Sequence, residues 1–244
     1  MGKKGPSRHL KRELTPTSWP IHRKEDVWAV KTSPGPHGFK VSMPLLVVVR
    51  DFLGYAETSK EAGKIISEGK VLVDGVVRRD ARFPVGLMDV VEFPDARKIY
   101  RVLPEHGGRY RFHSLGREEA GFKLCRVIGK STLNGGVTQL NLHDGRNLIP
   151  QEGAGSYSVN DVVKLGLSNK EILDHIEFNP GVRAIITGGR SQGQYGILID
   201  LGEEPGDKRT ATIRTPDNED VRTLASYVFA VGTEKPLITL AGEL

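Results

Sequence analysis

Apolar residues in this chain never run longer than five together, and 29 glycines and 14 prolines stand among them in 244 residues. A chain punctuated so often cannot bury a long helix, but it can build many short strands joined by tight turns and a few short helices. The longest apolar run, Leu45 to Val49, is far below the roughly 20 residues that cross a bilayer, and the basic N-terminus leads into no apolar signal core. A soluble, cytoplasmic protein with no membrane partner is expected. Its one cysteine, Cys125, excludes an intramolecular disulfide framework and a multi-cysteine metal site, so neither metal nor cofactor is expected.

The net charge of +5 is unevenly spread. Residues 1–40 hold nine bases against three acids, residues 41–150 hold 17 against 13, and residues 151–244 hold 9 against 14. The N-terminal half therefore suits an anion. In the first 41 residues Lys3, Lys4, Arg8, Lys11, Arg12, Arg23, Lys24 and Lys40 are interleaved with His9, Trp19, His37 and five prolines. Proline forbids a long helix there, and rings among cations suit stacking on bases beside neutralised phosphates. This stretch reads as an extended basic arm, disordered when free and ordered on RNA.

Residues 42–95 read as a small α-α-β module. Pro44 suits a first helical position, Leu45 to Leu53 supply an apolar helix, and Gly54 can end it. Thr58-Ser59-Lys60-Glu61 fits a capping box, and Gly69 stops the second helix. Val71 to Val73, Asp74-Gly75 and Val76-Val77 read as a hairpin with a two-residue turn, and Val90 to Phe93 as a further strand. A helix N-terminus offers N–H groups to a phosphate, so Thr58, Ser59 and Lys60 are candidates, with Lys64, Lys70, Arg78, Arg79 and Arg82 nearby.

The residues Leu53, Gly54, Thr58-Ser59-Lys60-Glu61-Ala62, Ile65-Ile66, Gly69-Lys70-Val71 and Val73-Asp74-Gly75 resemble the S-four-type RNA-binding fold. The resemblance implies docking on structured RNA, in ribosomal proteins or as an accessory of pseudouridine synthases, methyltransferases and tyrosyl-tRNA synthetases.

Residues 96–173 read as a central β-rich domain, with strands over Lys123 to Ile128, Thr138 to Leu142 and Val159 to Leu165, and turns at Asn134-Gly135-Gly136 and Asp144-Gly145. His143 and Asp144 read as turn residues. Residues 97–130 carry nine bases against three acids, and Arg109, Arg111, Lys123, Arg126 and Lys130 are candidates for a second RNA-facing surface. In residues 174–244, Asn179-Pro180-Gly181, an apolar strand, Gly188-Gly189, Gly193 and Gly196-Ile197 resemble the KOW motif of small SH3-like barrels. Thr212 to Thr215, Arg222 to Leu224 and Tyr227 to Val231 would close such a barrel. Gln194 is a departure from the pattern of the family that the whole chain resembles, many of whose members carry a base there, which leaves Arg183 and Arg190 as the candidate bases of that loop.

From His9 through Gly35-Pro36-His37, Lys123-Leu124-Cys125 and Asn141 to Arg146 to Tyr227-Val228-Phe229, nearly the whole chain resembles the S-four-e family of small-subunit ribosomal proteins. The lack of a long basic tail after Leu244 is more similar to archaeal members. The resemblance implies an α+β multi-domain ribosomal constituent that binds small-subunit ribosomal RNA and neighbouring ribosomal proteins and has no small-molecule substrate. The alternatives are an RNA-modifying enzyme, or an assembly or transcription-elongation factor. Catalytic patterns fail: Gly189-Arg190-Ser191-Gln192-Gly193 matches a nucleophile elbow but no helix and no histidine follow it. Gly129-Lys130-Ser131-Thr132 lacks the glycine that begins a phosphate-binding loop, because Leu124 stands there.

Overall fold

A computed structural model describes residues 9–150, 157–204 and 208–240. Lys3, Lys4 and Arg8 lie outside the described residues. The expected extended arm is instead a folded strap over residues 9–41. Leu10–Lys11 pairs antiparallel with Trp28–Ala29. Trp19 is 4% exposed, meets Phe39 edge-on at 6.0 Å and donates its Nε1–H to the Ser42 carbonyl at 2.8 Å. A large ring with a single donor is most stable where its body is dry and its N–H is satisfied, and the strap lies over the helical module where both conditions hold.

The module follows the local signals closely. Helix α1 (Leu45–Val47) runs straight into a π-helical stretch (Val48–Phe52), ended by Gly54 at φ +64°. Three consecutive β-branched valines are poor helix formers, so burial holds this helix: Leu45 to Val49 are all buried. Pro44 sits one place earlier than expected, as an extended cap and the last residue of strand Ser42–Pro44, which pairs with Pro84–Gly86. Helix α2 (Ser59–Ser67) begins at the full Thr58–Glu61 capping box. The Asp74-Gly75 turn has φ of +52° and +74°, as a two-residue hairpin requires.

That hairpin belongs to a five-stranded antiparallel sheet in the order Val76–Val77, Leu72–Val73, Val90–Phe93, Lys98–Glu105 and Arg109–Ser114. The last two strands were not among those expected. They carry the module's sheet across residue 95, so the expected seam falls inside a sheet. A second five-stranded sheet is built on the long strand Phe122–Thr132, flanked by Thr138–Leu142 and Asn147–Leu148 on one side and Val162–Gly166 and Ile172–Ile176 on the other. A third has the order Asp220–Leu224, Lys208–Arg214, Tyr195–Glu204, Arg183–Ile186 and Val228–Gly232.

The apolar interior tracks these layers. Strap and module share one core containing Leu10, Trp19, Leu45, Ile66, Val91 and Tyr110. The third sheet shares another with Met88, Leu103, Leu124 and Ile176, so it packs against both other sheets. Among the described residues no helix is long and apolar enough to cross a membrane.

Candidate nucleic-acid interface

The bases expected to face RNA divide into those turned inward and those left outside. Lys123 is the clearest of the first kind. It is fully buried, with Nζ 2.9 Å from Asp74 Oδ2, 2.5 Å from Asp89 Oδ1 and 3.2 Å from Asp144 Oδ2. Arg146 closes the cluster, Nη2 at 2.7 Å from Asp74 and Nε at 3.2 Å from Asp144. His37, also buried, places Nε2 2.9 Å from Asp89 Oδ1. Backbone N–H groups of Gly86 and Val90 donate to Asp89 and Asp74, so the carboxylates are well satisfied. The cluster ties strap, module and central sheet together in one ionic knot.

Its electrostatics follow from burial opposed by partners. Burial would raise the Asp89 carboxyl, yet the charges of His37 and Lys123 hold it well below the usual range. Asp74 is pushed up by burial and by Asp89, a pull that Lys123 only partly offsets. Lys123 would lose its proton more readily on burial alone, but Asp89 and Asp74 keep it charged. His143 stands in a turn as expected, and its half-buried imidazole is neutral, pushed down to about 3 by burial and by Lys123. Its Nδ1 accepts from the Arg126 N–H and its Nε2–H donates to the Leu87 carbonyl, an arrangement that only the neutral ring permits.

Other expected contacts are also structural. Arg126 donates Nη1–H to the Ser226 and Val228 carbonyls, at 2.5 and 3.2 Å, and so joins the central sheet to the third. Arg101 is fully buried against Glu119 and the Phe122 carbonyl. Arg183 donates to the Glu234 carbonyl, Arg82 to the Lys31 carbonyl and Arg12 to the His22 carbonyl. Arg78 lies over the Phe83 ring at 4.3 Å. The second RNA-facing surface therefore loses Lys123 and Arg126 from its candidates. Each is long enough to reach a carbonyl or carboxylate across the fold, and sequence position alone carries no sign of it.

The α2 N-terminus does not hold its anion site open. Glu61 Oε2 accepts from the Glu57 and Thr58 N–H groups, at 3.0 and 3.3 Å, and Thr58 Oγ1 accepts from the Glu61 N–H. The Glu57 and Thr58 N–H bonds hold the Glu61 carboxyl below its usual range. The anion at this helix end is the chain's own, and Ser59 Oγ accepts from Arg50 Nη1 at 2.6 Å.

What remains outside is a set of exposed bases on several elements. Lys60 and Lys64 are exposed on α2, with Lys64 3.9 Å from Glu68. Lys70, 2.9 Å from Glu68, and Arg79 flank the hairpin, whose Val76 and Val77 are 45% and 43% exposed. Arg79 lies against Gly69, whose φ of +79° and missing side chain leave room for it. On the strap Lys11, Arg23, Lys24 and Lys40 are exposed, and His9 lies 5.5 Å from the exposed ring of Trp28. Arg109 and Arg111 are exposed on one strand, Lys130 on the central hairpin and Arg190 on the glycine loop. That loop is seated: Gln192 Nε2 donates to the Arg109 carbonyl at 3.0 Å, and a Cβ at Gly193 would fall 2.7 Å from the His106 N.

No nucleophile elbow forms at Ser191, because the chain continues from the loop into strand Tyr195–Glu204 rather than into a helix. Among the described residues no group of three or more His, Cys, Asp or Glu side chains could hold a metal ion.

Comparison with known proteins gives matches to three family models along the chain. A family model described as Ribosomal family S4e matches residues 96–172, an RS4NT (NUC023) domain matches residues 4–40 and an S4 domain matches residues 43–91. The small ribosomal subunit protein eS4 of Methanothermobacter thermautotrophicus is 46% identical over 239 residues, covering 96% of each chain. That of Desulfurococcus amylolyticus is 45% identical over 98% of each. The crystal structure of the 30S ribosomal protein S4e from Thermoplasma acidophilum superposes with a TM-score of 0.68 at 30% identity, covering 79% of this chain and 96% of that one.

Proposed function

Because the chain belongs to the ribosomal S4e family, we propose that it is a structural constituent of the small ribosomal subunit in the cytoplasm, holding small-subunit ribosomal RNA beside neighbouring ribosomal proteins. The observation that carries this is the near full-length similarity to small ribosomal subunit proteins, 46% over 96% of each chain. Its work is binding rather than catalysis, as in those relatives.

The mechanism is phosphate neutralisation on a preformed shape. Lys60, Lys64, Lys70 and Arg79 form the principal contact, with Val76 and Val77 packing against the sugar edge between them. Lys11, Arg23, Lys24 and Lys40 extend it along the strap, together with Lys3, Lys4 and Arg8, and Trp28 with His9 offers a stacking platform. Arg109, Arg111, Lys130 and Arg190 complete a discontinuous rim. The buried ionic knot fixes how strap, module and central sheet are presented to the RNA. The third sheet, with its glycine loop after Arg183–Ile186, acts as an SH3-like barrel of the KOW type, a reading supported by its strand order and its glycine positions.

The test is sedimentation of cell lysate through a high-salt sucrose gradient, with the protein quantified against small-subunit RNA. Stoichiometric co-sedimentation is expected. Substoichiometric, salt-released protein would favour an assembly or elongation factor and overturn the proposal.

A further inference from the structure

A groove of about 560 Å³ runs between the strap and the turn that joins strands Lys98–Glu105 and Arg109–Ser114. We infer that it receives one extruded nucleotide of the bound RNA, an inference that rests on the ribosomal reading above and names a contact within it. Trp19 and Phe52 give the groove apolar walls. Arg23 from the strap and Arg109 from the turn, both exposed, line it, and Glu105 contributes a half-buried residue with a carboxylate.

This is the chemistry a nucleotide requires. A flat base lies against aromatic surface, two guanidiniums meet its phosphates and a carboxylate accepts from an exocyclic amino group. The volume falls within the range of about 300–1,000 Å³ found for small-molecule sites. One further observation points to a missing polar partner. Ser18, 7% exposed and part of the groove wall, has a buried Oγ with no hydrogen-bond partner. A ligand atom that reaches this hydroxyl, with a small shift of the groove wall, would satisfy it.

The groove is also braced from behind. Gly107 and Gly108 both take φ of +77°, which fixes the turn, and Thr17 reaches across to Gly108. The glycine loop of the third sheet presses on the same turn, through Gln192 on the Arg109 carbonyl and Gly193 on the His106 backbone. The loop therefore positions a nucleotide-binding wall instead of supplying its cations.

The experiment is ultraviolet crosslinking of the full-length protein to its small-subunit RNA, with crosslinked peptides mapped by mass spectrometry. The expected result is a nucleotide on a peptide spanning residues 17–23 or 105–110, together with crosslinks at the Val76–Arg79 hairpin. Ser18→Leu, which fills the groove, and Arg109→Ser, at an exposed position, should each lower RNA affinity about tenfold, abolish the groove crosslink and leave the hairpin crosslinks in place. If Ser18→Leu does not fold, the wild-type map and Arg109→Ser decide. Hairpin crosslinks alone, with both variants at wild-type affinity, would overturn the groove while leaving the ribosomal reading intact. Failure to bind the RNA at all would overturn the ribosomal reading. Saturable quenching of Trp19 by adenosine or guanosine monophosphate in a Trp28→Phe background, undisturbed by the RNA, would mean a free-nucleotide site and refute the inference.

Discussion

Replacing Lys123 by Met keeps the side-chain stem and removes the ammonium that touches Asp74, Asp89 and Asp144. Arg146 still reaches Asp74 and Asp144, but Asp89 keeps only His37 as an ionic partner. Removing one partner of a buried ion pair costs about 3–5 kcal/mol, because the charges left behind are neither hydrated nor paired. Against a total of about 5–15 kcal/mol for a folded domain, that is a large fraction. The loss carries a pH signature. With Lys123 present, Asp89 is held below its usual range, so its contribution exists at neutral pH and is lost only in strong acid. Without Lys123, burial raises the folded-state affinity of these carboxyls for protons above that of the unfolded chain. The folded variant then binds more protons, and it gains on the wild type as pH falls. The gap should narrow by about 1.4 kcal/mol for each unit by which a carboxyl is raised. Urea unfolding at pH 7.5 and pH 5, followed by tryptophan fluorescence, measures both effects, and Lys123→Met with Asp89→Asn should recover part of the loss. A variant within about 1 kcal/mol of wild type, or a deficit equal at both pH values, would refute the reasoning.

Three further outcomes are expected. Changing Lys60, Lys70 and Arg79 together to Ser should reduce the slope of log affinity for RNA against log salt by about 2 to 3 with an unchanged circular dichroism spectrum, since each phosphate contact contributes about 0.7–0.9; filter binding across a salt series checks it. Thr58→Ala removes the hydroxyl that accepts from the Glu61 N–H and should cost about 1 kcal/mol of stability, read by thermal unfolding. His143, neutral in the fold and held at about 3, gains protons on unfolding between that value and its ordinary value of about 6.5. Stability should therefore fall as pH drops through that window, by up to about 1.4 kcal/mol per unit, and His143→Gln should flatten the dependence.

Much of the local structure can be read from neighbouring residues because its causes are local. The capping box needs only Thr58 and Glu61, three places apart, and both of its bonds form. The hairpin needs a positive φ at two positions, and Asp74-Gly75 supplies residues that tolerate it. Strand Thr138–Leu142 matches its expected span because alternation and flanking turns set it. The family could be read for a related reason, since the ordered motifs along the chain are what the relatives share.

The fate of each base could not be read this way. Lys123 and Arg109 look alike in sequence, a cation in a basic stretch, yet one is fully buried and the other exposed. Lys123 meets Asp74 and Asp89 at separations of 49 and 34 residues, and Arg126 meets a carbonyl 100 residues away. Trp19 and His37 likewise find hydrogen-bond partners in the module, at separations of 23 and 52 residues. Composition determined that this chain is a many-turned, basic-fronted protein of short elements. The tertiary structure alone decided which charges face outward, because a buried charge is tolerated only where distant parts of the chain bring its counter-charges within about 3 Å.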